Sequence, residues 1–193
     1  DDLNRSKNNW QLDLSMPDAK VAASDSMIVV YSDNFVQSLS LTGEPLMQTR
    51  LAFESSIVRV ECVASYFAVL LRNAADTFSL AIITSAGKQV EPLSFDYGYA
   101  IDYRFYPNSD RLWTLSVNAE ASQAISTITT YNTGESTVTG VISKTGELIS
   151  SIEIGNTYLY AVGTTHIFAY DRTVQQDSRL TYGWKVLDCS LSD

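Results

Sequence analysis

One histidine and two cysteines are all that 193 residues contain of the side chains most used for metal binding and nucleophilic catalysis. A metal site built on several histidines, or a Ser-His-Asp triad, would rest on His166 alone, whose place at the head of HIFAYD reads instead as a strand end. Cys62 and Cys189 are too few for a disulfide scaffold and lack metal-ligand spacing. They read as two buried thiols on strands; a disulfide between them, which would close a large loop and favour an oxidising compartment, is the open alternative.

Basic residues are scarce too. Against 22 acidic residues there are 13 lysines and arginines, a formal net charge of -9, and no basic cluster of the kind that phosphate contacts need. Nucleic acid is thereby excluded as an expected partner. No run of 18 apolar residues occurs, so no helix is expected to cross a bilayer, and no signal peptide is present. Membrane contact is expected only through an anchor outside this chain, which opens at Asp1 and Asp2 as a fragment freed of a leader or anchor would. The patterns G-x-S-x-G, H-E-x-x-H, the P-loop, G-x-G-x-x-G and the EF-hand loop are missing, and no cofactor is expected. The loop carboxylates Asp25, Asp33, Asp76 and Asp110 could hold calcium weakly but suit turn capping better. Three triplets imitate the serine β-lactamase signatures: Ser85 to Lys88 (S-x-x-K), Ser32 to Asn34 (S-D-N) and Lys144 to Gly146 (K-T-G). Their order is wrong, and the S-x-x-K serine lies in a glycine-containing turn rather than at a helix start.

What is present points to strands. Glycine (9) and proline (4) are few, whereas serine, threonine, valine, isoleucine and tyrosine (11) suit a pleated, half-buried surface. Trp10, Leu12 and Leu14 alternate with Gln11, Asp13 and Ser15, predicting an outer strand over 9–15. Met27 to Tyr31 and Phe67 to Leu71 are near-continuous apolar runs, expected of strands covered on both faces. The turn Pro107 to Asp110 leads into the alternation Leu112 to Val117. Four units follow, over 18–53, 57–95, 101–143 and 148–186. Their second strands begin near Ile28, Ala68, Leu112 and Leu159, at steps of 40, 44 and 47 residues. Four strands per propeller blade need about 40 to 45. The fold class is therefore all-β and propeller-like, with about four four-stranded antiparallel blades. Trp10 and Trp184 take matching outer-strand positions, which favours a segment of a larger propeller over a closed four-bladed ring.

The turns YPNSDRL, SLTGE and TSAGK, with the apolar second strands, resemble WD-type and quinoprotein-type blades, where a turn such as SPDG precedes the second strand and one such as DxxTGK follows the third. In layout the chain is similar to the propeller-like extracytoplasmic domains of uncharacterised single-pass bacterial membrane proteins. The resemblance implies an extracytoplasmic, membrane-anchored location. Among the aromatics Tyr97, Tyr99, Tyr103, Phe105, Tyr106 and Trp113, core packing is the main expectation; only Tyr97 and Tyr99, in the link between units, are candidate surface contacts.

The function expected from these features is a non-enzymatic interaction module of the bacterial cell envelope, presenting an acidic, Ser/Thr-rich rim to a protein or cell-envelope ligand. Two alternatives stay open: a hydrolase or lyase with a carboxylate-based site at the propeller mouth, and a purely structural or oligomerisation domain. Three converging carboxylates, or His166 with carboxylates, would mark the enzyme.

Overall fold

In a computed structural model the described residues, 10–74, 76–90, 93–95, 99–107, 109–120, 122–155, 157–172 and 177–181, form sixteen strands and no helix. The first sheet holds β1 (Lys20–Ala23), β2 (Ile28–Tyr31), β3 (Phe35–Leu39) and β4 (Leu51–Ala52). The second holds β5 (Ser56–Val63), β6 (Tyr66–Arg72), β7 (Phe78–Thr84) and β8 (Leu93–Phe95). The third holds β9 (Tyr99–Phe105), β10 (Arg111–Glu120), β11 (Gln123–Asn132) and β12 (Thr137–Thr145), and the fourth β13 (Ile149–Ile154), β14 (Leu159–Gly163), β15 (His166–Tyr170) and β16 (Asp177–Thr181). Within each sheet the strands lie side by side in chain order, all antiparallel. This is the succession of four-stranded blades that the hydrophobic rhythm predicts.

Alternation explains how the sheets join. On β6, Phe67, Val69 and Leu71 enter a core shared with Met27, Val29, Tyr31 and Val36 of the first sheet. The intervening Ala68 and Leu70 point the other way, into a core with Tyr103, Phe105, Leu112 and Tyr131 of the third. On β10, Leu112 faces back to the second sheet while Trp113 and Leu115 face forward to Leu159, Phe168 and Tyr170 of the fourth. A strand whose two faces meet two cores has no room for polar alternation, and so β6 reads as a continuous apolar run. The same alternation puts Tyr103, Phe105, Tyr106 and Trp113 in the core, as expected.

Up-and-down topology sorts the loops to two ends. The turns between first and second and between third and fourth strands lie at one end, here the upper; the remaining connections lie at the lower. Polar links join neighbouring upper turns: Ser26 Oγ donates to the Ala64 carbonyl at 2.5 Å, and Ser38 Oγ to the Ser85 carbonyl at 2.6 Å.

Two expectations differ from the structure. Residues 10–19 form no strand; they run as a strap, with Trp10 Nε1 donating to the Leu41 carbonyl at 3.0 Å. In the first unit, 18–53, where four strands are expected, the fourth shrinks to Leu51–Ala52. Gln37 Nε2 donates to the Met47 carbonyl at 3.2 Å, drawing the chain off the ladder so that the Met47 side chain reaches the next blade at Gly87.

Trp113→Ala empties the largest buried side chain of the third core and is expected to lower unfolding free energy by about 3–5 kcal/mol. Val141→Ala, on the exposed face of β12, is expected to stay within about 0.5 kcal/mol. Urea titrations followed by far-ultraviolet circular dichroism check both.

Candidate functional site

The first strands of successive sheets, β1, β5, β9 and β13, approach one another and form the innermost layer. Three of them carry a bulge against their second strand. Val58 in β5, Ile101 in β9 and Ser150 in β13 are each the extra residue. Such a bulge bends the strand and re-aims the residues beside it. On β5 and β9 the residues beside it are charged, and they meet.

Arg59 is the hub. Its guanidinium lies 4.3 Å from the centroid of the Tyr103 ring, its Nη2 is 2.6 Å from Asp102 Oδ1 and 3.8 Å from Glu61 Oε1, and the same nitrogen donates to the Tyr103 carbonyl. Tyr103 answers from the other side, its hydroxyl lying 2.9 Å from the Arg59 carbonyl and 3.1 Å from that of Ala68. Asp102 also accepts from the Tyr103 amide at 2.9 Å and faces Arg104 Nε at 3.6 Å. Burial opposes charge on Arg59, but Asp102, Tyr103 and Glu61 outweigh it and hold the guanidinium above its ordinary value. Burial pushes the Glu61 carboxyl up, against the pull of Arg59, Arg104 and the Phe105 amide. The Tyr103 hydroxyl is likewise pushed up by burial. The cluster locks the second blade to the third and leaves Arg104 and part of Glu61 facing solvent.

A second polar cluster sits at the lower end, between the third and fourth blades. Glu147, 8% exposed, follows β12, where Ser126 Oγ donates to its carbonyl at 2.9 Å. Its carboxylate accepts from the Thr165 amide at 2.8 Å and from the Thr164 and Thr165 hydroxyls at 3.1 and 3.0 Å. His166 Nδ1 lies 3.0 Å from Oε2. Burial works to raise the Glu147 pKa, but these donors prevail and lower it to about 2. Thr164 and Thr165 make up the β14–β15 turn and His166 opens β15, so the carboxylate clamps the turn.

His166 thus opens a strand, as expected, and meets one carboxylate. Among the described residues no three His, Cys, Asp or Glu side chains form a metal-type cluster, and Asp25, Asp33, Asp76 and Asp110 are not brought together. Tyr99 opens β9 at the lower end, 68% exposed, with its ring 6.5 Å from that of Phe78. Tyr97 and Cys189 lie outside the described residues; Cys62 is half-buried in β5, where burial pushes its thiol up. Arg59, Glu61, Asp102, Arg104 and Glu147 were not singled out in the sequence. For the first four the signal was there, charges inside otherwise apolar strands, IVRVECV and IDYRF, one blade period apart; Glu147, in a polar turn, had none.

Solved structures of low sequence identity share the fold. KlHsv2, in a form with loop 6CD replaced by a Gly-Ser linker, has a TM-score of 0.56 at 12% identity, over 84% of this chain and 56% of that one. Kuenenia stuttgartiensis hydrazine synthase has a TM-score of 0.54 at 11% identity, over 80% and 52%. The β-propeller domain of Myceliophteria thermophila Cps50 (Swd1) has 0.53 at 10% identity, over 82% and 56%. The chain spans about half the length of these structures, and the likeness is one of β-propeller architecture. No curated protein matches the chain in sequence. The model of a family of unknown function, DUF5711, matches residues 4–182.

Two predictions follow from the clusters. Because the folded pKa of Glu147 lies near 2, below the ordinary 4.5, its carboxylate stabilises the fold above about pH 4.5, and that contribution is lost as pH falls toward 2. Glu147→Gln is therefore expected to cost about 1–3 kcal/mol at pH 7 and to flatten the acid decline of the melting temperature over that interval, measured calorimetrically. Asp102→Asn strands the Arg59 charge and is expected to cost about 1–3 kcal/mol in urea titration, with part of the loss recovered in the Arg59→Met, Asp102→Asn double variant.

Proposed function

The chain belongs to the DUF5711 family, whose function is unknown, and from that membership and the propeller fold we propose that it is a binding module for a protein partner, working outside the cytoplasm at the bacterial cell envelope. The observation that carries the reading is the exposed part of the innermost layer. Tyr99 stands clear of the lower end of β9, and the same strand carries Arg104, more than half exposed, beside the Asp102 anchor. A large aromatic at one end of a rigid strand and a fixed charge near its other end suit protein recognition, since little conformational freedom is lost on contact. The excess of acidic residues selects for a partner with a basic face and for association that weakens with salt. Attachment to the membrane, in this reading, comes from an anchor outside the residues given, and no cofactor is needed.

The hydrolase or lyase reading has one observation in its favour, the raised carboxyl of Glu61. Two arginines and a backbone amide already engage that carboxyl, which suits a structural ion cluster better than a general acid.

Photo-crosslinking in cells of the source organism tests the reading. A photoreactive phenylalanine analogue at Tyr99 is expected to give a discrete protein adduct that disappears in Arg104→Glu, while the same analogue at Val141 gives none. Absence of an adduct at Tyr99, or an equal one at Val141, would overturn it. A fusion to a reporter active only after export checks the location: activity is expected, and a fusion that is expressed in full but inactive would refute that part.

A further inference from the structure

At the lower end the third sheet is longer than its fold requires. In the other three sheets the third strand begins level with the fourth: Phe35 pairs with Ala52, Phe78 with Phe95 and His166 with Thr181. In the third, β11 begins at Gln123, but its pairing with β12 starts only at Ser126, opposite Lys144. Below that level β10 and β11 form a ribbon of their own, Asn118 pairing with Ile125, Ala119 with Ala124 and Glu120 with Gln123. At about 3.4 Å per residue the ribbon projects about 10 Å. None of its described residues is buried, and none belongs to a core. Packing does not account for it.

The ribbon is nevertheless held firmly at its root. The Gly146 amide donates to the Ala124 carbonyl at 2.8 Å, and Ile125 bridges Glu147. Ser126 Oγ, which donates to the Glu147 carbonyl, also accepts from the Ile149 amide at 2.9 Å. Glu147 in turn is bonded to the β14–β15 turn, so the root is anchored to two blades at once. A projection that no core uses, fixed by buried bonds and carrying small polar side chains, has the character of a contact element.

We propose that this ribbon is a recognition finger that enters a basic cleft of a protein partner. The inference rests on the reading of Tyr99 as a protein contact and adds the shape and charge of what is contacted. Tyr99, the first residue of β9, pairs with Val117, from which the finger springs, so a partner seated on Tyr99 meets the finger as well. Glu120, near the tip, is the one charged side chain of residues 118–125, and the whole chain carries a formal net charge of -9. Both select for basic groups in the cleft. A ribbon already ordered by its root loses little freedom on insertion, and Asn118, Ser122 and Gln123, all exposed, supply hydrogen bonds around the acid.

The test places a photoreactive phenylalanine analogue at Ala119 in cells of the source organism. It is expected to give an adduct with the same protein as the analogue at Tyr99, identified by mass spectrometry. Glu120→Arg is expected to lower both adducts at least tenfold and Glu120→Asp to retain them, every variant keeping the parent melting temperature. With an adduct at Tyr99, the finger is overturned by none at Ala119, by one with a different protein, or by a Tyr99 adduct unchanged in Glu120→Arg; Tyr99 then remains a protein contact. An adduct at Ala119 with none at Tyr99 would keep the finger and overturn Tyr99, and none at either would overturn both.

Discussion

Burial on both faces is the constraint from which the rest of this structure follows. A four-stranded sheet of this length cannot stand alone in water, and each sheet here becomes stable by packing on its neighbours, the middle two giving alternate residues to the sheets before and after them. The three cores are built this way, Phe67 and Val69 looking back while Ala68 and Leu70 look forward. Side-chain identity is thereby set twice over in the middle strands, which explains why they are the most apolar of the chain. The outermost strands are freer, and the exposed Val138 and Val141 of β12 show how little is asked of them.

Polar contacts adjust what the apolar cores bring together. Arg59 with Tyr103 and Arg172 with Tyr106 repeat one reciprocal arrangement across two blade boundaries: the guanidinium lies over the ring at 4.3 and 5.7 Å, and the phenol hydroxyl bonds the carbonyl of the same arginine. In each pair the ring holds the guanidinium and the phenol holds the backbone of the same arginine, so sliding one blade past the next breaks both contacts together. Lysine could not replace either arginine, since the flat guanidinium stacks and donates in one plane. Burial pushes the Tyr106 hydroxyl up to about 12, keeping the donor protonated at any physiological pH.

Much of this was legible beforehand. The near-continuous apolar runs located β2 and β6, and the period between them gave the blade count, because two-sided burial leaves a pattern that one-sided burial cannot imitate. Trp10, Leu12 and Leu14 misled, since a segment laid on a sheet and a strand within one both alternate. The shortening of β4 was hidden for a different reason: it depends on Met47 reaching Gly87 in another blade, a contact without local signature. The charged cluster escaped because its members come from separate sheets. Only a bulge at Val58 and another at Ile101 aim them together, and bulges leave little trace in composition.

Contacts between neighbours only, with no comparable contact joining the fourth sheet to the first among the described residues, give this arc the physics of a one-dimensional chain. Cohesion then grades along the sequence. Amide protons of the second and third sheets, flanked on both sides, exchange with solvent through the rarest openings, and those of the terminal sheets through commoner ones. Fraying starts at the ends and travels inward a blade at a time.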